Sequence, residues 1–228
     1  MSLRAGCVLF SGRMVHVKIC GVRSAADASA CVQLGASAIG INFVPASPRC
    51  VDLDAARTIA RAVHALDSHA PGGAKVLVVG VVADLTLDAM RALLRDVELD
   101  CLQLHGDESN ETLSEVLPHA YKAVRIANLI DVERARATPG EYLLVDAKVD
   151  GALGGTGTAF DWSLVAELAR ERRLTLAGGL HPGNVERAVR ELRPYCVDVA
   201  SGVESAPGVK SLAKVQAFIE SARRGSPM

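Results

Sequence analysis

Short runs rich in Val, Ile and Leu alternate along this chain with longer stretches whose apolar residues return every third or fourth position. The first pattern suits strands and the second suits one face of a helix. Strands are predicted at 15–20, 38–43, 76–82, 99–105, 120–125, 142–146, 174–177 and 196–200. Helices are predicted at 24–34, 52–66, 86–95, 108–117, 129–136, 161–170, 182–191 and 211–222. Ser24 suits an N-cap, Gly35 and Pro118 suit helix stops, and Pro182 suits a first helical turn. Strict alternation implies parallel strands joined by right-handed crossovers. Eight such units predict an α/β fold, a single (β/α)8 barrel over residues 15–228, preceded by a leader at 1–14. An open doubly wound sheet is the runner-up, disfavoured because no dinucleotide-type glycine fingerprint follows the first strand. The run Ala70-Pro71-Gly72-Gly73 reads as a surface loop, not a domain boundary.

Composition sharpens this picture. Half the residues are hydrophobic but only 4% are aromatic, so the core must be built of Ala, Val, Leu and Ile, as in buried parallel strands. A net charge of −1 without a long basic run argues against nucleic acid as a partner. Six scattered cysteines form no C-x-x-C pair and read as reduced thiols of a cytoplasmic protein. No apolar stretch reaches the length of a membrane span, and the first residues lack the apolar segment of a signal peptide. The six histidines show no ligand spacing, so neither a metal nor another cofactor is expected.

Side-chain alternation turns His16, Lys18 and Cys20 of the first strand to one face, which would be the barrel interior. Asn42, Gln103, Asp146 and Asp198 share that side on later strands, mostly near C-terminal ends, where barrels of this type place their active sites. Unpaired charges there would be costly, so Lys18 is expected to pair with Asp198. Gly154-Gly155-Thr156-Gly157, Gly178-Gly179 and Ser201-Gly202 follow the last three strands. Glycine turns bring backbone N–H groups close to an anion, and barrels commonly bind phosphate after strands seven and eight. Arg49, in the loop after the second strand, is either a solvated surface residue or a bidentate clamp for a carboxylate.

Taken in order, several stretches resemble the phosphoribosylanthranilate isomerase family of tryptophan biosynthesis. They are Lys18-Ile19-Cys20-Gly21, Ser47-Pro48-Arg49, Gln103-Leu104-His105-Gly106-Asp107-Glu108, Leu144-Val145-Asp146, the Gly154–Gly157 run with Phe160-Asp161-Trp162, Ala177-Gly178-Gly179-Leu180, and Asp198 through Glu204. The resemblance implies an Amadori rearrangement of a phosphorylated small molecule, with Asp146 as general acid and Cys20 as general base. It implies that Arg49 holds a carboxylate and that Gly155, Thr156, Gly178, Gly179, Ser201 and Gly202 hold phosphate, with Lys18, Gln103 and Asp198 in support. A cysteine base needs an electropositive, partly open setting, which Lys18 at about 7 Å would help to supply. Thr158-Ala159 stands where many relatives carry a basic residue, Ala200 stands where serine is frequent, and the N-terminus exceeds the usual family start. A monomer and a homodimer fit equally well.

Three other readings are weaker. The histidine-pathway sugar isomerase runs the same rearrangement with a carboxylate where Cys20 stands. A non-catalytic barrel that senses a phosphorylated metabolite would need neither Cys20 nor Asp146. A metal enzyme lacks its ligands, and His105 reads as a structural hydrogen-bonding residue.

Overall fold

The computed structural model describes residues 14–66, 75–146 and 162–227. The expected leader and the 70–73 loop lie outside these residues, Met14 apart. Eight parallel strands close on one another in sequence order: β1 (His16–Cys20), β2 (Ala38–Asn42), β3 (Leu77–Val82), β4 (Cys101–Leu104), β5 (Ala120–Arg125), β6 (Tyr142–Asp146), β7 (Arg173–Ala177) and β8 (Cys196–Val199). The β1–β8 pairing shuts the barrel and sets Lys18 opposite Asp198.

The crossovers are α1 (Ala25–Gln33), α2 (Leu53–His64), α3 (Leu87–Asp96), α4 (Asn110–Val116), α5 (Leu129–Arg136), α6 (Ala166–Glu171) and α7 (Val185–Leu192), with α8 (Leu212–Gly225) at the end. Their starts follow local chemistry. Ser24, Asp52, Thr86, Ser109 and Asn128 each accept a backbone N–H of the first turn. One departure is in the starts of two helices: α6 starts at Ala166, after a 3-10 turn over Trp162–Val165, and α7 starts at Val185 and not at Pro182. Asn184 turns back into the preceding loop, accepting from His181 N at 2.8 Å and donating to Gly179 O at 3.0 Å, so residues 181–184 form a tied turn. A second departure is a small antiparallel sheet after β8, formed by β9 (Glu204–Ala206) and β10 (Val209–Lys210).

Alternation sorts the core into two layers. Val17, Ile19, Ile39, Ile41, Val78, Leu102, Leu104, Leu143, Val145, Leu174, Leu176 and Val197 pack outward against the helices. Ala38, Leu77, Val79, Cys101, Tyr121, Ala123, Leu144 and Ala177 fill the interior. The interior set is mostly small or medium-sized, which leaves the upper end open for polar groups. No helix of the described residues is long and apolar enough to cross a membrane.

Candidate active site

The floor of the site is a buried charge. Lys18, 2% exposed, rises from the middle of β1 and donates to Asp198 Oδ2 at 3.0 Å and to Gln103 Oε1 at 2.8 Å. Burial acts against the ammonium form, but the Asp198 carboxylate, aided by Cys20, holds the Lys18 pKa above the usual lysine range. Tyr121 donates to the same Gln103 oxygen at 3.2 Å. Gln103 Nε2 lies 3.0 Å from His105 Nδ1, and His105 Nε2 lies 4.0 Å from Asp146 Oδ2. Polar contacts therefore run from Asp198 through Lys18, Gln103 and His105 to the end of β6. Asp198 Oδ1 is buried without a hydrogen-bond partner among the described residues.

Above this floor lies a cavity of 430 Å³ at the C-terminal ends of the strands. Cys20, Asn42, Arg49, Gln103, Asp146 and Asp198 line it, together with Gly178, Gly179 and Ser201. Its size falls within the range of small-molecule sites. Lys18 sits beneath, outside the lining. Cys20 departs from the expected open setting, because it is only 9% exposed. Burial pushes its thiol pKa up and the Asp198 carboxylate adds to that, while Lys18 and Lys210 pull the other way without prevailing. A thiol so placed carries its proton at neutral pH until positive charge arrives beside it.

Arg49 is neither solvated nor loose. It makes a bidentate pair with Glu204, Nε to Oε1 at 2.8 Å and Nη2 to Oε2 at 2.7 Å. Its stem crosses Gly21, next to Cys20, so closely that a Cβ there would lie 2.3 Å from Arg49 Cδ. Glu204 is anchored in turn by Lys210 at 2.8 Å and, through its carbonyl, by Lys214 at 2.8 Å. Burial alone would raise the Glu204 carboxyl, but the hydrogen bonds from Arg49 and Lys210 overcome it and hold it down to about 2. Two of five guanidinium donors serve Glu204, and a guanidinium can in general bind a second carboxylate along its Nη1–Nη2 edge.

The glycines expected to cradle an anion lie, among the described residues, on two loops. Gly178 and Gly179 adopt φ of +90° and +65°, and a Cβ on Gly179 would meet nothing within 4 Å. Gly202 is different: a Cβ there would lie 1.9 Å from the Leu180 carbonyl oxygen, so this glycine lets the loops after β7 and β8 touch. Gly154, Gly155, Thr156 and Gly157 lie outside the described residues.

Two participants carry no role in the sequence reading. Glu204 closes a quoted stretch, and Lys210 stands alone in the chain. The only signal for the hairpin that carries them is Pro207-Gly208, a turn pair. Among the described residues, no group of three or more His, Cys, Asp or Glu side chains is arranged to hold a metal ion.

Comparison with known proteins agrees with this geometry. The profile of the family described as N-(5'phosphoribosyl)anthranilate (PRA) isomerase matches residues 17–221. The chain is 44% identical over 213 residues to the N-(5'-phosphoribosyl)anthranilate isomerase of Myxococcus xanthus, covering 92% of this chain and 96% of that one. It is similar in structure to phosphoribosyl anthranilate isomerase from Thermotoga maritima, with a TM-score of 0.79 at 37% identity, covering 92% of this chain and 98% of that one. A phosphoribosyl anthranilate isomerase crystallised with reduced 1-(o-carboxyphenylamino)-1-deoxyribulose 5-phosphate matches with a TM-score of 0.78 at 35% identity, again over 92% and 98%. A closed parallel barrel, a family profile spanning nearly all of it and relatives above 40% identity lead to one assignment: the chain belongs to the N-(5'-phosphoribosyl)anthranilate isomerase family.

Proposed function

We propose that this chain catalyses the Amadori rearrangement of N-(5-phosphoribosyl)anthranilate to 1-(2-carboxyphenylamino)-1-deoxy-D-ribulose 5-phosphate, with Asp146 as general acid and Cys20 as general base. The observation that carries the reading is that Cys20 and Asp146, on strands at opposite sides of the barrel, face one cavity between a carboxylate clamp and a glycine cradle. The substrate has one carboxylate and one phosphate at its two ends, which matches that polarity. Arg49 holds the anthranilate carboxylate through its Nη1–Nη2 edge. Backbone N–H groups around Gly179, Ser201 and Gly202 hold the phosphate.

The proton count closes. Asp146 protonates the ribose ring oxygen as the C1–O bond breaks, and the nitrogen lone pair forms a cationic Schiff base. That cation, beside Cys20, favours the thiolate that the resting site disfavours, and the thiol proton released to solvent at this point is taken back when the cycle ends. The thiolate takes the C2 proton and the electron pair moves to give a neutral enolamine. Returning a proton to C1 and removing one from the enol oxygen gives the ketone and restores both groups.

Loss of anthranilate-type fluorescence on mixing the purified chain with freshly made substrate tests the reading. Rapid loss is expected with the wild type, and a loss slower by about 10²–10⁴-fold with Cys20→Ser or Asp146→Asn. A folded wild type that leaves the fluorescence unchanged overturns it, and leaves the phosphometabolite sensor as the better reading.

A further inference from the structure

The contacts beneath the cavity fix the position of one proton on His105. Lys18 Nζ is an ammonium and has only hydrogens to offer, so the Gln103 atom 2.8 Å away must be the amide oxygen. The Tyr121 hydroxyl donates to that same oxygen. The Gln103 NH2 group therefore faces His105 Nδ1 at 3.0 Å, and an NH2 group can only donate. Nδ1 must accept, so it carries no hydrogen. The ring proton then sits on Nε2, the nitrogen that points toward Asp146 Oδ2. A second ring proton would set N–H against N–H at Gln103. Burial also lowers the His105 pKa, with Lys18 and Arg125 acting in the same sense and Asp146 and Asp198 opposing them.

We infer that Lys18 and Gln103 lock His105 as the neutral Nε2–H tautomer, and that His105 is thereby a positioning residue that donates a hydrogen bond to Asp146. The inference rests on the activity proposed above for its catalytic consequence, but not for the tautomer itself. Nε2 and Oδ2 stand 4.0 Å apart, longer than a hydrogen bond, and catalytic contacts of this kind often tighten when substrate fills the site. A neutral donor suits a general acid. It binds one carboxyl oxygen and leaves the proton on the other for the sugar, and it stabilises the carboxylate once that proton is gone.

Long-range proton–nitrogen NMR of the full chain at neutral pH, without substrate, reads the tautomer. A protonated Nε2 and a bare Nδ1 at His105 are expected; a proton on Nδ1, alone or with Nε2, overturns the assignment. Gln103→Glu, which offers only acceptors, is expected to draw a proton onto Nδ1, and an unchanged tautomer there removes Gln103 from the argument. Kinetics read the positioning role. His105→Leu should lower kcat by about 10–100-fold with KM within about twofold, the scale of one lost hydrogen bond to a charged group. His105→Gln keeps an N–H donor and should recover most of that loss. Wild-type kcat in His105→Leu, or no recovery in a folded His105→Gln, overturns the role. A wild type without turnover sinks the proposed activity instead, and the NMR result still decides the tautomer.

Discussion

Arg49 and Glu204 meet edge to edge, through two hydrogen bonds of 2.8 and 2.7 Å, although 155 positions separate them in the chain. The pair ties the loop after β2 to the hairpin after β8 and fixes the guanidinium at the wall of the cavity. Glu204→Gln should therefore leave the chain folded and raise KM by about tenfold with little change in kcat, since what is lost is orientation of a binding group. Arg49→Lys cannot serve two carboxylates with one planar fork and should raise KM further. Steady-state kinetics on both variants check this, and an unchanged KM in both removes Arg49 from carboxylate binding.

Lys18 and Asp198 form the second long-range ion pair of the site, here fully covered. Removing one partner leaves a buried charge unmatched, so Asp198→Asn should lower unfolding free energy by about 3–5 kcal/mol. The double variant Lys18→Met/Asp198→Leu has no charge to bury and should recover most of that loss. Urea unfolding of the single and double variants decides it, and additive losses would show that the pair is not coupled.

The two glycines of the cradle should fail differently. Gly179→Ala has room for its Cβ but keeps a left-handed backbone, at about 1–2 kcal/mol. Gly202→Ala must push the Leu180 carbonyl aside and part the two loops. The expected result is a larger rise in KM for Gly202→Ala than for Gly179→Ala, together with weaker inhibition by inorganic phosphate.

The resting state of Cys20 is open to direct measurement. Because burial raises its pKa, the thiolate is scarce at neutral pH. Alkylation of Cys20 by iodoacetamide, followed by peptide mass mapping, should climb about tenfold per pH unit to beyond the ordinary thiol range near 8.5. A rate already flat at pH 7 would mean that the Lys18 and Lys210 charges prevail after all.

His16 gives the fold a pH dependence unconnected with catalysis. Burial, reinforced by Arg173, lowers its pKa to about 4 from 6.5. Between these values the unfolded chain holds a proton that the folded chain does not. Stability from this residue is thus complete above about pH 6.5 and is lost as pH falls toward about 4. His16→Gln should flatten that part of the denaturation curve against pH.

Alternation and periodicity were enough to place all eight barrel strands, and they assigned the interior faces of β1, β4, β6 and β8. They also implied the Lys18–Asp198 pair, since two opposite charges on the same inner face have few other partners. Glu204 and Lys210 escaped because their contacts depend on a three-residue and a two-residue strand, too short for any periodic signal. The start of α7 was misjudged for a related reason: Pro182 suits a first turn, yet the Asn184 side chain bonds backward into the loop. The covering of Cys20 was hidden too, because residue type does not tell how closely Arg49 and its loop approach.

The buried ammonium on β1 also acts as a check on assembly. Its acceptor Asp198 lies 180 positions later, on the last barrel strand to be synthesised. Without β8 the Lys18 ammonium would lack its counter-charge. A last strand docked one residue out of register would turn Val197 or Val199 to Lys18 in place of the carboxylate. Premature or misaligned closure is thereby penalised at the point where a cylinder of near-equivalent strands is most open to error.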